Sequence, residues 1–181
     1  MRIWVFLLAT IILGWLSRRS LTSPSSHGFY RFFAWESILL LITLRIPLWF
    51  TNPFSLHKVI SWTLLCGSAV VAVLGFKQLK QYGAPDDTRE DDTLIKIEKT
   101  TELVTIGLYR YIRHPLYASL LLLAAGVLFK RPDWSGGLLT VLAVVFLYLT
   151  AHAEEQENLD YFGEDYREYR GRTKMFIPFI F

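Results

Sequence analysis

The sequence predicts an all-α integral membrane protein with about five transmembrane helices, a C-terminal helical hairpin and an amphipathic C-terminal helix in the cytoplasm. Of the 181 residues, 52% are hydrophobic and 15% are aromatic, so most of the apolar surface must face lipid. Five apolar stretches are separated by Pro, Gly or charged residues, and Lys and Arg gather in the connections between them. We expect residues 1–181 to form one membrane domain, with apolar stretches at residues 3–16, 29–50, 57–76, 116–129 and 134–151.

Charged residues beside and within the first two apolar stretches affect how each stretch is interpreted. Residues 3–16 could be a signal peptide, but two arginines follow them, whereas a signal peptide carries its charge in front. We therefore expect a span there. Residues 29–50 contain Glu36 and Arg45, each near an end of the stretch. We interpret both as side chains that snorkel to the membrane surface.

The third stretch, residues 57–76, completes three N-terminal spans within residues 1–76. Cys66, Gly67 and Ser68 give it a small-residue face suited to close helix packing. The following residues, 77–106, are the one long polar stretch and predict a cytoplasmic loop. Its acidic cluster at 86–92 matches no calcium-loop spacing, so we expect a solvated loop.

The last two stretches form a predicted helical hairpin. Residues 116–129 are short for a full span, which needs about 20 residues, whereas 134–151 are long enough. Pro132, Gly136 and Gly137 favour a tight turn between them. The hairpin should bring the Arg113 end of the first helix back to the Glu155 end of the second.

The segment after the hairpin carries apolar residues at helical spacing among charges, which predicts an amphipathic helix; they are Leu159, Phe162, Tyr166 and Tyr169. Most Lys and Arg fall on the side of the membrane that holds residues 77–113 and the C-terminus. By the positive-inside rule these segments are cytoplasmic, and five spans place the N-terminus outside.

Residues 107–117, GLYRYIRHPLY, concentrate cationic and hydrogen-bonding groups where a polar loop enters an apolar helix. Pro115 favours the first helical position, which makes His114 the N-cap. A helix N-terminus attracts anions, so this stretch suits a ligand that carries a carboxylate or phosphate. The competing interpretation is an interfacial anchor, because Arg and Tyr are common at membrane boundaries.

Two blocks of residues resemble the isoprenylcysteine carboxyl methyltransferase family and its membrane relatives, including phospholipid N-methyltransferases. The first block consists of Gly107, Tyr109, Arg113, His114, Pro115 and Tyr117, and the second of Glu154, Glu155, Phe162, Gly163, Tyr166 and Tyr169. The resemblance covers roughly residues 103–178, and within it residues 107–178 form the methyltransferase-like motif region. It implies an integral membrane enzyme that uses S-adenosyl-L-methionine and holds it in a cytoplasmic pocket.

Carried over residue by residue, the resemblance implicates a cofactor set of Leu103, Val104, Gly107, Tyr109, His114, Pro115, Glu154, Glu155 and Arg172. The residue types fit, because Arg or His suits the cofactor's carboxylate, Glu its ammonium and hydroxyl groups, and aromatic rings its adenine and sulfonium. For catalysis we expect Arg113 to hold a substrate carboxylate beside Tyr117, or Glu155 to take a proton from an amine or thiol. The acceptor is expected to be lipophilic or small, with a membrane lipid among the partners.

Other classes are less compatible with the sequence. No Gly-x-Gly-x-x-Gly or βαβ pattern exists for a Rossmann nucleotide site, and no basic patch suits nucleic acid. The four histidines are scattered and the single cysteine is isolated, so no metal is expected. Two alternatives stay open: an NADPH-dependent sterol-type reductase, whose C-terminal region has a similar Tyr, Arg-His-Pro, Tyr pattern, and a non-enzymatic membrane scaffold.

Overall fold

The computed structural model describes residues 2–84 and 99–181, and these residues are helical without any β-strand. Their α-helices are α1 (Arg2–Leu16), α2 (His27–Arg45), α3 (Leu56–Tyr82), α4 (Pro115–Leu128), α5 (Trp134–Phe162) and α6 (Glu164–Arg172). Short 3-10 helices lie at Ser20–Thr22, Ile46–Leu48 and Gly107–Arg110. The all-α prediction is confirmed for the described part of the chain. The acidic cluster predicted as a solvated loop lies outside it.

The helices pack in the spatial order α1, α2, α5, α4, α3, and α2 also touches α4. The core between α2, α4 and α5 contains small residues that let the helix backbones approach one another. Ala143, Leu147 and Ala151 follow one another at four-residue spacing on α5 and are all fully buried. They face a helix that contributes Ala34 and Ile38.

Helices α3 and α4 are joined by hydroxyl groups that reach across to backbone carbonyls. The Ser61 hydroxyl donates to the Gly126 carbonyl at 2.6 Å, and the Ser68 hydroxyl donates to the Ser119 carbonyl at 2.7 Å. Seven residues further along α3, a Cβ added to Gly75 would lie 3.3 Å from the Leu116 side chain of α4. The seven-residue repeat keeps these small residues on one face, and the pairing makes the two helices antiparallel.

This arrangement corrects the small-residue face predicted for the third span. Ser68 does lie at the helix contact, but Cys66 is exposed, and a Cβ added to Gly67 would meet only the Leu122 side chain, at 3.9 Å. Three consecutive residues cannot share one face of a helix, because successive side chains point about 100° apart. The contact face therefore follows the spacing of seven.

The two charges inside the second stretch both have protein partners. Arg45 donates to Asp133 at 2.5 Å, and its side chain is only 6% exposed. The same carboxylate caps α5 by accepting from the Gly136 amide at 2.8 Å. Glu36 accepts from the Thr10 hydroxyl of α1 at 2.9 Å. The snorkelling interpretation is wrong for Arg45, because this side chain turns inward and ties the end of α2 to the start of α5.

The predicted hairpin of α4 and α5 is present, but its second helix is longer than its apolar stretch. Helix α5 continues through Phe162, and Gly163 then breaks the helix with a positive φ of 60°. The predicted C-terminal helix is therefore divided: Leu159 and Phe162 belong to α5, whereas Tyr166 and Tyr169 form the buried face of α6. Helix α3 similarly extends through Tyr82, into the predicted loop.

Two helices, α3 and α5, are long and apolar enough to cross a membrane. Helices α1 and α4 are apolar but shorter. No residue of α1 is buried, and Trp4, Leu8, Ile11 and Trp15 stand exposed on it. An apolar surface of this kind fits contact with lipid.

Replacing Gly126 with Ala should destabilise the α3–α4 contact. A Cβ at this position would lie 2.9 Å from the Leu65 side chain and 3.2 Å from its backbone nitrogen. We expect a loss of about 1–3 kcal/mol in the free energy of unfolding, which is the usual cost of overpacking. Unfolding in mixed detergent micelles measures it.

Gly137→Ala is the matched control, because nothing lies within 4 Å of the Cβ it would add and it gains the same helix propensity. Equal stability of the two variants would contradict close packing at Gly126.

Candidate active site

The motif loop has a backbone shape that requires glycine at its start. Gly107 has φ of 62°, and a Cβ there would lie 2.2 Å from the Gln78 side-chain nitrogen. The Gln78 amide oxygen accepts from the Leu108 amide at 2.9 Å, which fixes the loop against the end of α3. Pro115 takes the first position of α4, as predicted. His114 occupies the N-cap position, but its side chain does not cap the helix and turns to other partners.

The chain after α6 runs beside the motif and is bonded to it. The amide of Arg113 donates to the Lys174 carbonyl at 2.8 Å, and the amide of Lys174 donates to the Tyr111 carbonyl at 3.1 Å. An isolated parallel β-bridge between Ile112 and Lys174 results. The Tyr169 hydroxyl adds a bond of 2.7 Å to a carbonyl of the motif. These bonds hold the C-terminal segment against the motif.

A buried ion pair joins the motif to α5. Arg113 Nε donates to Glu155 Oε1 at 2.6 Å, with the two side chains 9% and 0% exposed. Arg113 Nη1 donates to the carbonyls of Thr173 at 2.6 Å and of Arg170 at 3.3 Å. Arg170 Nε approaches the second Glu155 oxygen at 3.2 Å. The predicted meeting of the Arg113 and Glu155 ends of the hairpin is confirmed.

His114 lies between the two neighbouring carboxylates of α5. Its Nδ1 is 3.6 Å from Glu154 Oε2, and its Nε2 is 3.4 Å from Glu155 Oε1. Burial alone would lower the pKa of His114, but the two carboxylates outweigh burial and raise the pKa above its ordinary value. The ring stacks on Tyr117 with 5.4 Å between centroids, and the Tyr117 hydroxyl is hydrogen-bonded to Glu154. The two carboxylates therefore favour the protonated form of this ring.

A cavity begins at this cluster, and its empty space, counted together with the open mouth, is about 760 Å³. Its wall combines aromatic rings, carboxylates and aliphatic groups: Tyr109, Tyr117, Phe162, Tyr166, Tyr169, Glu102, Glu154, Glu157, Leu79, Leu103, Val104, Pro115 and Leu116, with Thr100, Arg113, His114 and Asn158. Burial raises the pKa of Tyr109, Tyr166 and Tyr169, so these phenols stay protonated and neutral.

Most residues predicted for the site line this cavity, namely Leu103, Val104, Tyr109, Arg113, His114, Pro115, Tyr117 and Glu154. Three do not. Gly107 shapes the loop behind it, and Glu155 is enclosed by the arginines and His114. Arg172 is 58% exposed, pairs with Glu168 at 3.3 Å, and lies with Arg110 in a neighbouring depression.

The sequence analysis missed the contribution of Glu157 and Asn158. With Glu154 they follow the i, i+3, i+4 pattern that puts side chains on one helix face, a signal that the Glu pair obscured. It also missed His27, fully buried at the start of α2, whose ring contacts Glu157 at 2.5 Å. No sequence pattern links residues that far apart. Among residues 2–84 and 99–181, no group of three or more His, Cys, Asp or Glu could hold a metal ion.

The chain belongs to the phospholipid methyltransferase family, whose pattern matches residues 56–165, about three-fifths of its length. The match includes the motif, the hairpin and the cavity face of α5. The membrane methyltransferase resemblance inferred from the two motif blocks is thereby confirmed.

Curated relatives of the chain are methyltransferases. It is 32% identical to methanethiol S-methyltransferase 1 of Bradyrhizobium diazoefficiens over 73 residues, which are 39% of this chain and 24% of the relative. It is 33% identical to the protein-S-isoprenylcysteine O-methyltransferase of Schizosaccharomyces pombe over 86 residues, which are 47% of this chain and 36% of the relative. The aligned segment is thus about a third or less of each relative's length.

Removing the Arg113 side chain should strongly destabilise the protein. In Arg113→Ala, Glu155 loses its closest partner inside the protein, and the carbonyl of Thr173 loses its donor. Breaking a buried pair from one side costs about 3–5 kcal/mol in the free energy of unfolding. Micelle unfolding measures this loss, and proteolysis should become faster in the segment after α6.

Arg167→Ala is the control, because that arginine also pairs with a glutamate, Glu164, but both side chains are more than two-thirds exposed. Its removal should leave stability nearly unchanged. A similar loss in both variants would show that Arg113 does not hold the site together.

Proposed function

We propose that this protein is an integral membrane methyltransferase that uses S-adenosyl-L-methionine. The observation that supports it is the composition of the cavity: aromatic rings and carboxylates surround the family's Arg-His-Pro motif. A wall of this kind favours ligands that carry positive charge beside flat rings. The relatives' methyltransferase names support the same activity.

The donor set fits the cofactor. Tyrosine and phenylalanine faces suit its adenine ring and its sulfonium, and carboxylates suit its ammonium and hydroxyl groups. The amino end of α4, which begins at Pro115, suits its carboxylate. We propose that Leu103, Val104, Tyr109, His114, Pro115 and Glu154 contact it, while Gly107, Glu155 and Arg172 support the surrounding walls.

When bound, the cofactor supplies an electrophilic methyl group, whose transfer removes the positive charge of the sulfonium. The protein's part is to align the acceptor in a dry, apolar site, because alignment and exclusion of water lower the barrier to such a transfer. Tyr117, Leu116 and Pro115 give the cavity wall at the start of α4 this character. We propose that Tyr117 contacts the acceptor.

Arg113 and Glu155 need a different role from the one expected of them. Arg113 already donates to Glu155 and to two carbonyls, and Glu155 does not line the cavity. We propose that they position His114 and the C-terminal segment, and so act on the reaction through other residues.

The acceptor we propose is a lipophilic or small molecule with a thiol, amine or carboxylate nucleophile, drawn from the membrane or its surface. The names of the two relatives point to a small thiol and to an isoprenylated cysteine. A reductase is disfavoured because NADPH carries several phosphate charges, and the carboxylates of Glu102, Glu154 and Glu157 on the cavity wall would repel them.

S-Adenosylhomocysteine should stabilise the purified protein in detergent. A ligand that binds only the folded state adds about 2.7 kcal/mol at a hundredfold excess over its dissociation constant. Thermal unfolding with and without the ligand measures the shift, and NADPH at the same concentration is the comparison. Stabilisation by NADPH alone would replace the methyltransferase with the reductase, and a response to neither would favour the scaffold.

We also propose five spans, α1 to α5, with the N-terminus outside and the site facing the cytoplasm. His27 at the start of α2 contacts Glu157 near the end of α5, and Arg45 at the end of α2 contacts Asp133 before α5, so the two helices are antiparallel. The start of α2, the start of α4 and the motif therefore lie at the same end of the bundle. The Lys and Arg of the motif region gather at this end, which the positive-inside rule assigns to the cytoplasm.

Cysteine labelling in intact cells tests this orientation in a Cys66→Ser background. Phe54→Cys, at an exposed position between α2 and α3, should react with an impermeant reagent, whereas exposed Gly171→Cys in α6 should react only after permeabilisation. The opposite pattern would invert the topology.

A further inference from the structure

Glu157 faces the cavity and is held in place by α2. Its Oε1 accepts from the His27 backbone amide at 2.9 Å, and its Oε2 lies 2.5 Å from His27 Nδ1. The His27 side chain is fully buried, whereas Glu157 keeps 21% of its side chain exposed at the cavity wall. Both oxygens are therefore fixed by one residue, and the carboxylate still reaches the cavity.

The neighbouring arginine determines the protonation of His27. Arg31 Nη1 lies 3.3 Å from His27 Nε2, and a guanidinium can only donate hydrogen bonds. This contact favours the tautomer in which His27 Nε2 accepts from Arg31 and the proton on Nδ1 is donated to Glu157, and in that tautomer the imidazole is neutral.

The charges of the three glutamates on this part of α5 are balanced differently. Glu155 is enclosed by two arginines, and Glu154 faces the imidazolium of His114. Glu157 is bonded to a neutral imidazole and a backbone amide. Of these three carboxylates, Glu157 is the one on the cavity wall that has no cation among its hydrogen-bond donors in the described residues. It is the natural partner for a positive group on a ligand.

The chemistry of methyl transfer indicates which positive group of the cofactor a carboxylate should bind. A carboxylate against the sulfonium would stabilise the reactant more than the transition state, because methyl transfer removes that charge, and it would slow the reaction. The ammonium group of the cofactor's amino-acid part keeps its charge throughout. A carboxylate can bind it without this penalty.

We propose that Glu157 binds the α-ammonium group of S-adenosyl-L-methionine and that His27 is the positioning residue that aims it. This inference rests on the proposed function. It also gives the N-terminal part of the chain a role at the site, because His27 lies outside residues 56–165, which match the family.

Two ligands that differ at the ammonium group test the proposal by calorimetry with the full-length protein in detergent. S-Adenosylhomocysteine carries the amino-acid part, and 5′-methylthioadenosine lacks it. Glu157→Gln should weaken binding of the first about 10- to 100-fold, the value of a charge-assisted hydrogen bond, and leave the second within about twofold. His27→Ala should also weaken the binding of S-adenosylhomocysteine.

His27→Asn is the conservative variant, because its amide nitrogen can donate from nearly the Nδ1 position, and it should recover most of the affinity lost in His27→Ala. His152→Ala is the control: His152 is exposed on α5 and stacks on Tyr148, so both affinities should stay unchanged. If His27→Ala does not fold, His27→Asn and Glu157→Gln decide the matter.

Failure of the wild type to bind either ligand would overturn the proposed function together with this inference. Wild-type binding that Glu157→Gln leaves intact, or that it weakens equally for both ligands, would overturn the inference alone. Weakening by Glu157→Gln with no effect of His27→Ala would remove His27 from the positioning role.

Discussion

The ion pair between Arg113 and Glu155 is the contact on which the rest of the site depends. Two charges taken out of water are costly unless further hydrogen bonds satisfy them. The carbonyl of Thr173 accepts one such bond from Arg113, and Arg170 approaches the second Glu155 oxygen as an ion partner at 3.2 Å, so the pair depends on a closed hairpin and on the C-terminal segment lying on the motif. The closed hairpin in turn places His114 between two carboxylates. One buried guanidinium thus couples the motif loop, α5 and the tail.

The helices around this cluster are held by polar groups bonded across or within them and by small residues. Inside the bilayer no water is present to hydrogen-bond a polar group, so side-chain hydroxyls donate to backbone carbonyls instead. Ser61 and Ser68 do so across the α3–α4 contact, and Thr150 does so within α5. Arg45 and Asp133 perform the same task with charges at the far end of α2. The cavity is therefore supported by helices that are bonded and packed to one another.

Hydropathy and motif spacing predict much of this structure, since both act locally along the chain. They give the helices and the hairpin, and the family resemblance adds the cavity residues of the Arg-His-Pro motif. They fail where the outcome depends on three-dimensional pairing. Arg45 resembles a snorkelling residue because Asp133 is distant in sequence, and the break at Gly163 depends on a backbone conformation that composition does not reveal. The sequence analysis assigns both Glu154 and Glu155 to the cofactor, yet packing turns Glu155 inward and leaves Glu154 on the cavity wall.

The contact between His27 and Glu157 likewise joins residues distant in sequence, which local patterns do not predict. It also shows how the carboxylates of the cavity are stabilised. A cavity in a low-dielectric setting strengthens every charge it contains, so each carboxylate must be either balanced or fixed in direction. His114 balances Glu154 with charge, whereas His27 fixes Glu157 with two neutral hydrogen bonds. A carboxylate whose charge is balanced attracts a ligand cation weakly, whereas a carboxylate that is only fixed in direction still attracts it. Two histidines on different helices thereby give two neighbouring glutamates different electrostatic roles, and only the packing of α2 on α5 creates the difference.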